Sequence, residues 1–232
     1  MSTKNLGLFQ NANLQLGNNL EATSKDYESD LSDIVMILNA FESIGDKIIN
    51  DDVKTIFNEF CYDLFISVHL AINGIYRNSN ASLRSACELA LGFFYFKDYN
   101  YHFEKWKMKS FDLTWTLLVD EENGILSTKY LNRNGNFSKS ADLIEDYKNI
   151  YRECSEYVHG KYSYMQTLKS TKIIYNKELF NDFYLLFKRL TTCIFSVYAI
   201  RFEQELSTIT EDNLEFINEK LKKYSLNNFR IK

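Results

Sequence analysis

The chain has 232 residues, 45% of them hydrophobic and 16% aromatic, which is enough to build one substantial core and excludes a disordered polymer. It contains no proline and only 8 glycines, so long unbroken helices joined by short polar links are predicted, not a turn-rich β architecture. A formal net charge of −4 lacks the basic excess of a duplex-DNA binder. There is no signal-type leader and no run approaching the roughly 20 apolar residues of a membrane span, so a cytoplasmic protein with no membrane partner is expected.

Residues 1–25 are Asn-rich with scattered leucines and read as a polar N-terminal arm, mobile or docked on a partner. Residues 26–232 read as a single all-helical domain. Helical spacing over residues 26–44 runs through Leu31, Ile34, Val35, Leu38 and Phe41, with Gly45 as the stop. Asn50, followed by Asp51 and Asp52, suits a helix start. Val53, Phe57, Phe60, Leu64, Val68, Ala71 and Ile75 then continue in steps of three and four. An end is predicted near Arg77, before the polar run Asn78, Ser79 and Asn80.

The next helix, residues 81–98, is apolar almost all round from Ala86 to Phe96, which places it at the centre. Arg84, Glu88 and Tyr95 share one stripe of it. Arg84 and Glu88, at i, i+4, are expected to be mostly buried and joined by a salt bridge. Residues 100–131, with His102, Trp106, Trp115 and a turn at Asn123 and Gly124, predict one or two short helices. A polar loop with Asn134 and Gly135 follows. Ser138 or Ser140 starts a helix whose seam is Leu143, Tyr147, Ile150, Cys154 and Tyr157, and Gly160 stops it. In the link 161–175 and just beyond, residues 168–176 are the place where a two-stranded hairpin would fit. Asn176 caps a long helix with the seam Phe183, Phe187, Leu190, Ile194 and Val197. Thr208 and Glu211 have capping-box spacing for a last helix through Leu214, Ile217, Leu221 and Tyr224. The expected fold is all-α, a bundle of five or more helices.

No P-loop, GxGxxG, HExxH, GxSxG or EF-hand loop is present. Cys61, Cys87, Cys154 and Cys193 lie far apart on apolar helical stretches and read as reduced core residues. His69 and His102 sit beside apolar seams and read as solvated or hydrogen-bonded flank residues. No cofactor or metal is therefore expected.

The segment around His159 is different. Arg152 and His159 are seven residues apart, which on a helix is about 700°, within about 20° of two full turns. They project from one side with Ser155 and Glu156 between them, roughly 120–140° from a core seam centred on Tyr147. That edge can line a cleft or meet a second subunit. An imidazole can move protons at a 2′-hydroxyl or a leaving oxygen. A guanidinium can hold the phosphate and its developing charge, without a metal. The same residues have an ordinary reading: Arg152 bridges Glu156 at i, i+4, and His159 with Gly160 simply ends the helix.

An Arg-x6-His pattern near a helix C-terminus, Arg152 to His159, in an all-helical protein of this size resembles the HEPN superfamily. The preceding buried helix with Arg84 and Glu88 is similar to that of HEPN-related defence proteins. The resemblance covers about residues 50–206. It implies a four- or five-helix bundle that dimerises, so that two Arg–His pairs form one metal-independent endoribonuclease site acting on single-stranded RNA. Bacterial antiviral and toxin–antitoxin systems are the implied setting. On this reading His159 is the general acid/base, Arg152 the phosphate clamp and Ser155 an orienting group, with Arg84 and Glu88 at or behind the site. The rival expectation is a non-catalytic helical interaction module whose aromatic surfaces and arm 1–25 bind a partner protein in a defence or regulatory assembly. Both readings expect a homodimer or a helical protein partner, met through the face that bears His159 and the link with Lys161, Tyr162, Tyr164, Met165 and Lys169.

Overall fold

Helices account for nearly all of the regular structure in the computed structural model, which describes residues 3–47, 52–133, 137–165, 173–206 and 209–226. In chain order they are α1 (Thr3–Asp26), α2 (Glu28–Lys47), α3 (Lys54–Ile72), α4 (Tyr76–Asp98), α5 (Asn100–Lys107), α6 (Trp115–Leu118), α7 (Thr128–Leu131), α8 (Ser140–Val158), α9 (Lys177–Arg201), α10 (Glu203–Leu206) and α11 (Glu211–Leu221). No strand occurs among the described residues, so the protein is an all-α bundle. Asn50, Asp51, Asn134, Gly135, Lys169, Thr208 and most of the segment considered for a hairpin lie outside them.

The centre is built from α4 and α9. Every residue from Ala90 to Phe96 on α4 is buried, as is every residue from Leu190 to Ala199 on α9. Apolar residues on all sides force such helices inward. By length and composition α9 could cross a membrane, but 72% of its most apolar window is buried inside the bundle. α3 and α8 pack on α4, and α2 and α11 close around α3 and α9. Rings carry much of the join: Phe41 of α2 stacks on Phe195 of α9 with centroids 4.2 Å apart and meets the edge of Phe60 of α3 at 5.0 Å. The Tyr147 hydroxyl donates to the Cys87 carbonyl at 2.9 Å, pinning α8 to α4.

Several boundaries differ from expectation. The break between α3 and α4 falls at Asn73 and Gly74, not at the polar run 78–80. Gly74 has φ +81°, and a Cβ there would lie 2.8 Å from Asn19 Nδ2 and 2.9 Å from the Ile174 carbonyl oxygen. Only glycine suits that turn. Ser79 and Asn80 are instead buried in the first turns of α4, Ser79 donating to the Ser67 carbonyl (2.7 Å) and Asn80 to that of Tyr76 (2.9 Å). Gly45, expected to end α2, lies inside it, where a Cβ would stand 3.1 Å from the Phe57 ring. Val35, assigned to the seam, is exposed, and Ile37 and Ile44 take up the packing. Asn176 does cap α9, its Oδ1 accepting from Leu179 N at 3.0 Å.

The Asn-rich N-terminal stretch is helical from Thr3 to Asp26. Its second half docks through polar contacts: Asn19 donates to the Asn73 carbonyl at 2.9 Å and accepts from Tyr175 N at 2.9 Å, while Thr23 donates to the Ile72 carbonyl at 3.1 Å. Its first half is a different matter, since residues 8–14 are all exposed.

At the far end of α4, one carboxylate ties three parts of the chain together. Asp98 accepts from Arg201 Nε (3.0 Å) and Nη2 (2.6 Å) at the end of α9, and from Arg133 Nη1 (2.7 Å) just after α7. Its side chain is only 13% exposed.

Candidate active site

α8 is strongly amphipathic. Leu143, Tyr147, Ile150 and Cys154 are buried against α4 and α9, and the opposite flank is open. Arg152 and His159 both lie on that open flank and both are exposed. α8 ends at Val158, His159 is its C-cap with its N–H donating to the Ser155 carbonyl at 2.9 Å, and Gly160 follows at φ +62°. The ordinary role of His159 and Gly160 as a helix stop is therefore real, and it leaves the imidazole outside.

Ordinary bridging of Arg152 to Glu156 is not what occurs. Arg152 Nη2 donates to Asn149 Oδ1 at 2.9 Å, while Glu156 pairs with Lys161 Nζ at 2.9 Å. The hydrogen bond from Lys161, then one from Tyr164, holds the Glu156 carboxyl below its ordinary value. Glu153, next to Arg152 in sequence, projects to another side and takes both its contacts from Arg189 Nη1, at 3.0 and 3.2 Å. Both carboxylates of this stretch are thus drawn into ion pairs with other cations.

The supporting residues form one connected group between α4 and α8, which run antiparallel. Arg84 Nε donates to Ser155 Oγ at 3.0 Å, and its Nη2 donates to Glu88 Oε1 at 3.2 Å and to the Tyr151 hydroxyl at 2.5 Å. Tyr151 in turn donates to Glu88 Oε1 at 2.8 Å. Burial, followed by the neighbouring Glu88 carboxylate, pushes the Tyr151 hydroxyl above its ordinary value. Ser155 Oγ also donates to the Tyr151 carbonyl at 2.8 Å, so its proton is committed within α8. Arg84 and Glu88 are joined at 3.2 Å and mostly covered, 27% and 33% exposed at the side chain, as their spacing on an apolar helix predicted. Tyr95, three turns further along the same stripe of α4, has partners of its own: its hydroxyl meets His102 Nδ1 at 2.6 Å, and His102 stacks on Phe111 at 4.6 Å.

Three neighbours were not read from the sequence. Tyr151 completes the Arg84 group, and Trp115 of α6 lies flat on its ring, centroids 3.6 Å apart and planes within 5°. Arg77, one heptad before Arg84 on α4, donates from Nε to the Tyr157 carbonyl (3.1 Å) and from Nη2 to that of Val158 (3.3 Å), fixing the end of α8 directly below His159. The heptad spacing of Arg77 and Arg84 repeats that of Arg152 and His159, and it was the available signal. A small cavity of about 100 Å³ beside this end is lined by Arg77, Tyr157, Tyr164, Met165 and Asp182. A larger groove of about 550 Å³ lies between α2 and α3, past Cys61, Tyr62 and Phe65. Neither is lined by Arg152 or His159, which stand on open surface. Among the described residues no cluster of three His, Cys, Asp or Glu side chains is placed to hold a metal ion.

Because Arg84 joins three side chains, those of Glu88, Tyr151 and Ser155, across two helices, Arg84→Ala is expected to lower stability by about 1–3 kcal/mol. This is less than for a fully buried pair, since water screens the exposed third. Thermal melts check it, and an unchanged midpoint would show that the group holds nothing together.

No protein-family model matches the chain, and comparison with curated proteins and with solved structures finds no match.

Proposed function

We propose that the open flank of α8 is the active site of an HEPN-like, metal-independent endoribonuclease, acting on cytoplasmic single-stranded RNA in a bacterial antiviral or toxin–antitoxin system. The observation that carries this reading is the exposure of Arg152 and His159 on one side of α8, with Glu153 and Glu156 drawn off by Arg189 and Lys161. A phosphate approaching this flank meets a guanidinium and an imidazole while both nearby carboxylates are already paired. Arg152 would hold the scissile phosphate. His159 would move the proton. In the cleavage step the 2′-oxygen attacks the adjacent phosphorus, the bond from phosphorus to the 5′-oxygen breaks, and a 2′,3′-cyclic phosphate is left. The 2′-hydroxyl gives up a proton and the departing 5′-oxygen gains one. One His159 can serve as base and a second copy's His159 as acid, which is why a homodimer accompanies the proposal. Arg84, Glu88 and Ser155 position α8 from behind.

Titration of the protein with cytidine 3′-phosphate tests the site without turnover. The His159 ring resonances should shift saturably, and Arg152→Ala should weaken the response. An unmoved His159 in a folded protein would remove the site.

The second reading, a non-catalytic interaction module, is favoured by the uncovered apolar side chains of α1 and of Met165, Ile173 and Ile174.

A further inference from the structure

We propose that the first half of α1 is a pairing arm that docks against the same arm of a second copy of this chain. The inference does not depend on the cleavage chemistry; where that reading also holds, this arm is the contact that keeps its homodimer together.

The docked half of α1 uses one stripe, Asn19 and Thr23, and Tyr27 just beyond continues it on the bundle. Stepping back along the same face by threes and fours gives Leu16, Ala12 and Phe9. Leu16 is half-covered, and from residue 14 back to residue 8 every side chain is exposed. The helix thus runs off the edge of the bundle with its apolar residues uncovered: Leu8 is 71% exposed, Phe9 66% and Leu14 67%. At the root of this overhang, where Asn19 reaches the Ile173 carbonyl, Ile173 and Ile174 are exposed as well.

Such an overhang does not sustain itself in water. Isolated helices shorter than about 12–15 residues are marginal even when alanine-rich, and this one contains Gly7, Asn11, Asn13 and Gly17, all poor helix formers. A covering surface supplies what propensity does not.

Charge identifies that surface. Residues 5–20 contain no charged side chain, in a chain that is 25% charged. A nucleic acid would be met by lysine and arginine, and a membrane-surface helix carries them on its polar face. A twofold pair is the occupant that this composition fits. In an isologous contact each patch meets its own copy, so charges tend to meet like charges, whereas amides do not conflict. Gln10, Asn11, Asn13 and Asn18 each carry both donors and an acceptor and can satisfy their own twofold mates. Leu8, Phe9 and Leu14 supply the apolar area.

The experiment uses the full chain and light scattering. Wild type should be a dimer. Leu8→Lys/Leu14→Lys and Leu8→Glu/Leu14→Glu should each halve the apparent mass and still melt as one cooperative bundle, since both leucines lie off it, with the midpoint lowered by no more than loss of the partner brings. Mixing the two variants should restore the dimer, because lysine arms then face glutamate arms. A monomeric wild type, charged variants that stay dimeric, or a mixture that stays monomeric would each overturn the proposal.

Discussion

His159→Ala is expected to lower single-stranded RNA cleavage by about 10²–10⁴-fold, the usual contribution of a positioned proton-transfer group. Arg152→Lys is expected to be impaired as well, because an ammonium is a point charge and cannot present the planar two-donor fork of guanidinium. Both side chains are exposed, and among the described residues the hydrogen bond of the Arg152 side chain goes to Asn149 on its own helix, while His159 caps through its backbone. Circular dichroism and thermal midpoints of both variants should therefore match wild type. Rates measured on one labelled RNA decide the matter. Equal cleavage by wild type and both variants would trace the activity to a contaminant. Cleavage lost together with helicity would make the pair a structural device.

The largest stability effect is expected at the other end of the bundle. Burial pushes the Asp98 carboxyl up, but hydrogen bonds from Arg201 and the charges of Arg201 and Arg133 outweigh it and hold the group below its ordinary 3.8. Its folded pKa is depressed, so its contribution is fully present above the unfolded value. That contribution is lost as pH falls through the folded one. Asp98→Asn leaves two guanidinium groups without their counter-charge at a site where the carboxylate is almost covered. A loss of about 3 kcal/mol near neutral pH is expected, the lower part of the range for breaking a buried pair. Denaturant titrations from pH 7 to pH 3 should show the gap between wild type and variant narrowing below about pH 4 as wild type loses the ionised form. Asp26, Asp146 and Glu156 are also held below their ordinary values. Both proteins retain them, so the difference between the curves isolates Asp98. A constant gap would show that the carboxylate charge contributes nothing there.

Helical periodicity made the class of fold legible, because each seam is a local pattern: the α8 seam and the Asn176 cap follow from a few neighbouring residues. Boundaries set by distant contacts were not legible. The polar run 78–80 looks like a break, yet Ser79 is satisfied by the Ser67 carbonyl twelve residues back, and the true break is fixed by how closely Asn19 and Ile174 approach Gly74. Asn19 and Thr23 look like arm residues until the carbonyls they serve, on Asn73 and Ile72, are brought beside them by folding. The site divides the same way. Arg152 and His159 were readable because one helix sets their relation. Tyr151, Trp115 and Arg77 were not, since α4, α6 and α8 meet only in the packed bundle.

The proposal that α8 carries a ribonuclease site is tested most directly by incubating the purified wild-type protein with single-stranded RNA in EDTA and determining the ends produced. The account predicts cleavage that persists in the chelator and leaves 2′,3′-cyclic phosphate or 3′-phosphate ends with 5′-hydroxyl partners. Intact RNA after incubation with the folded protein, or fragments bearing 5′-phosphates, would contradict it.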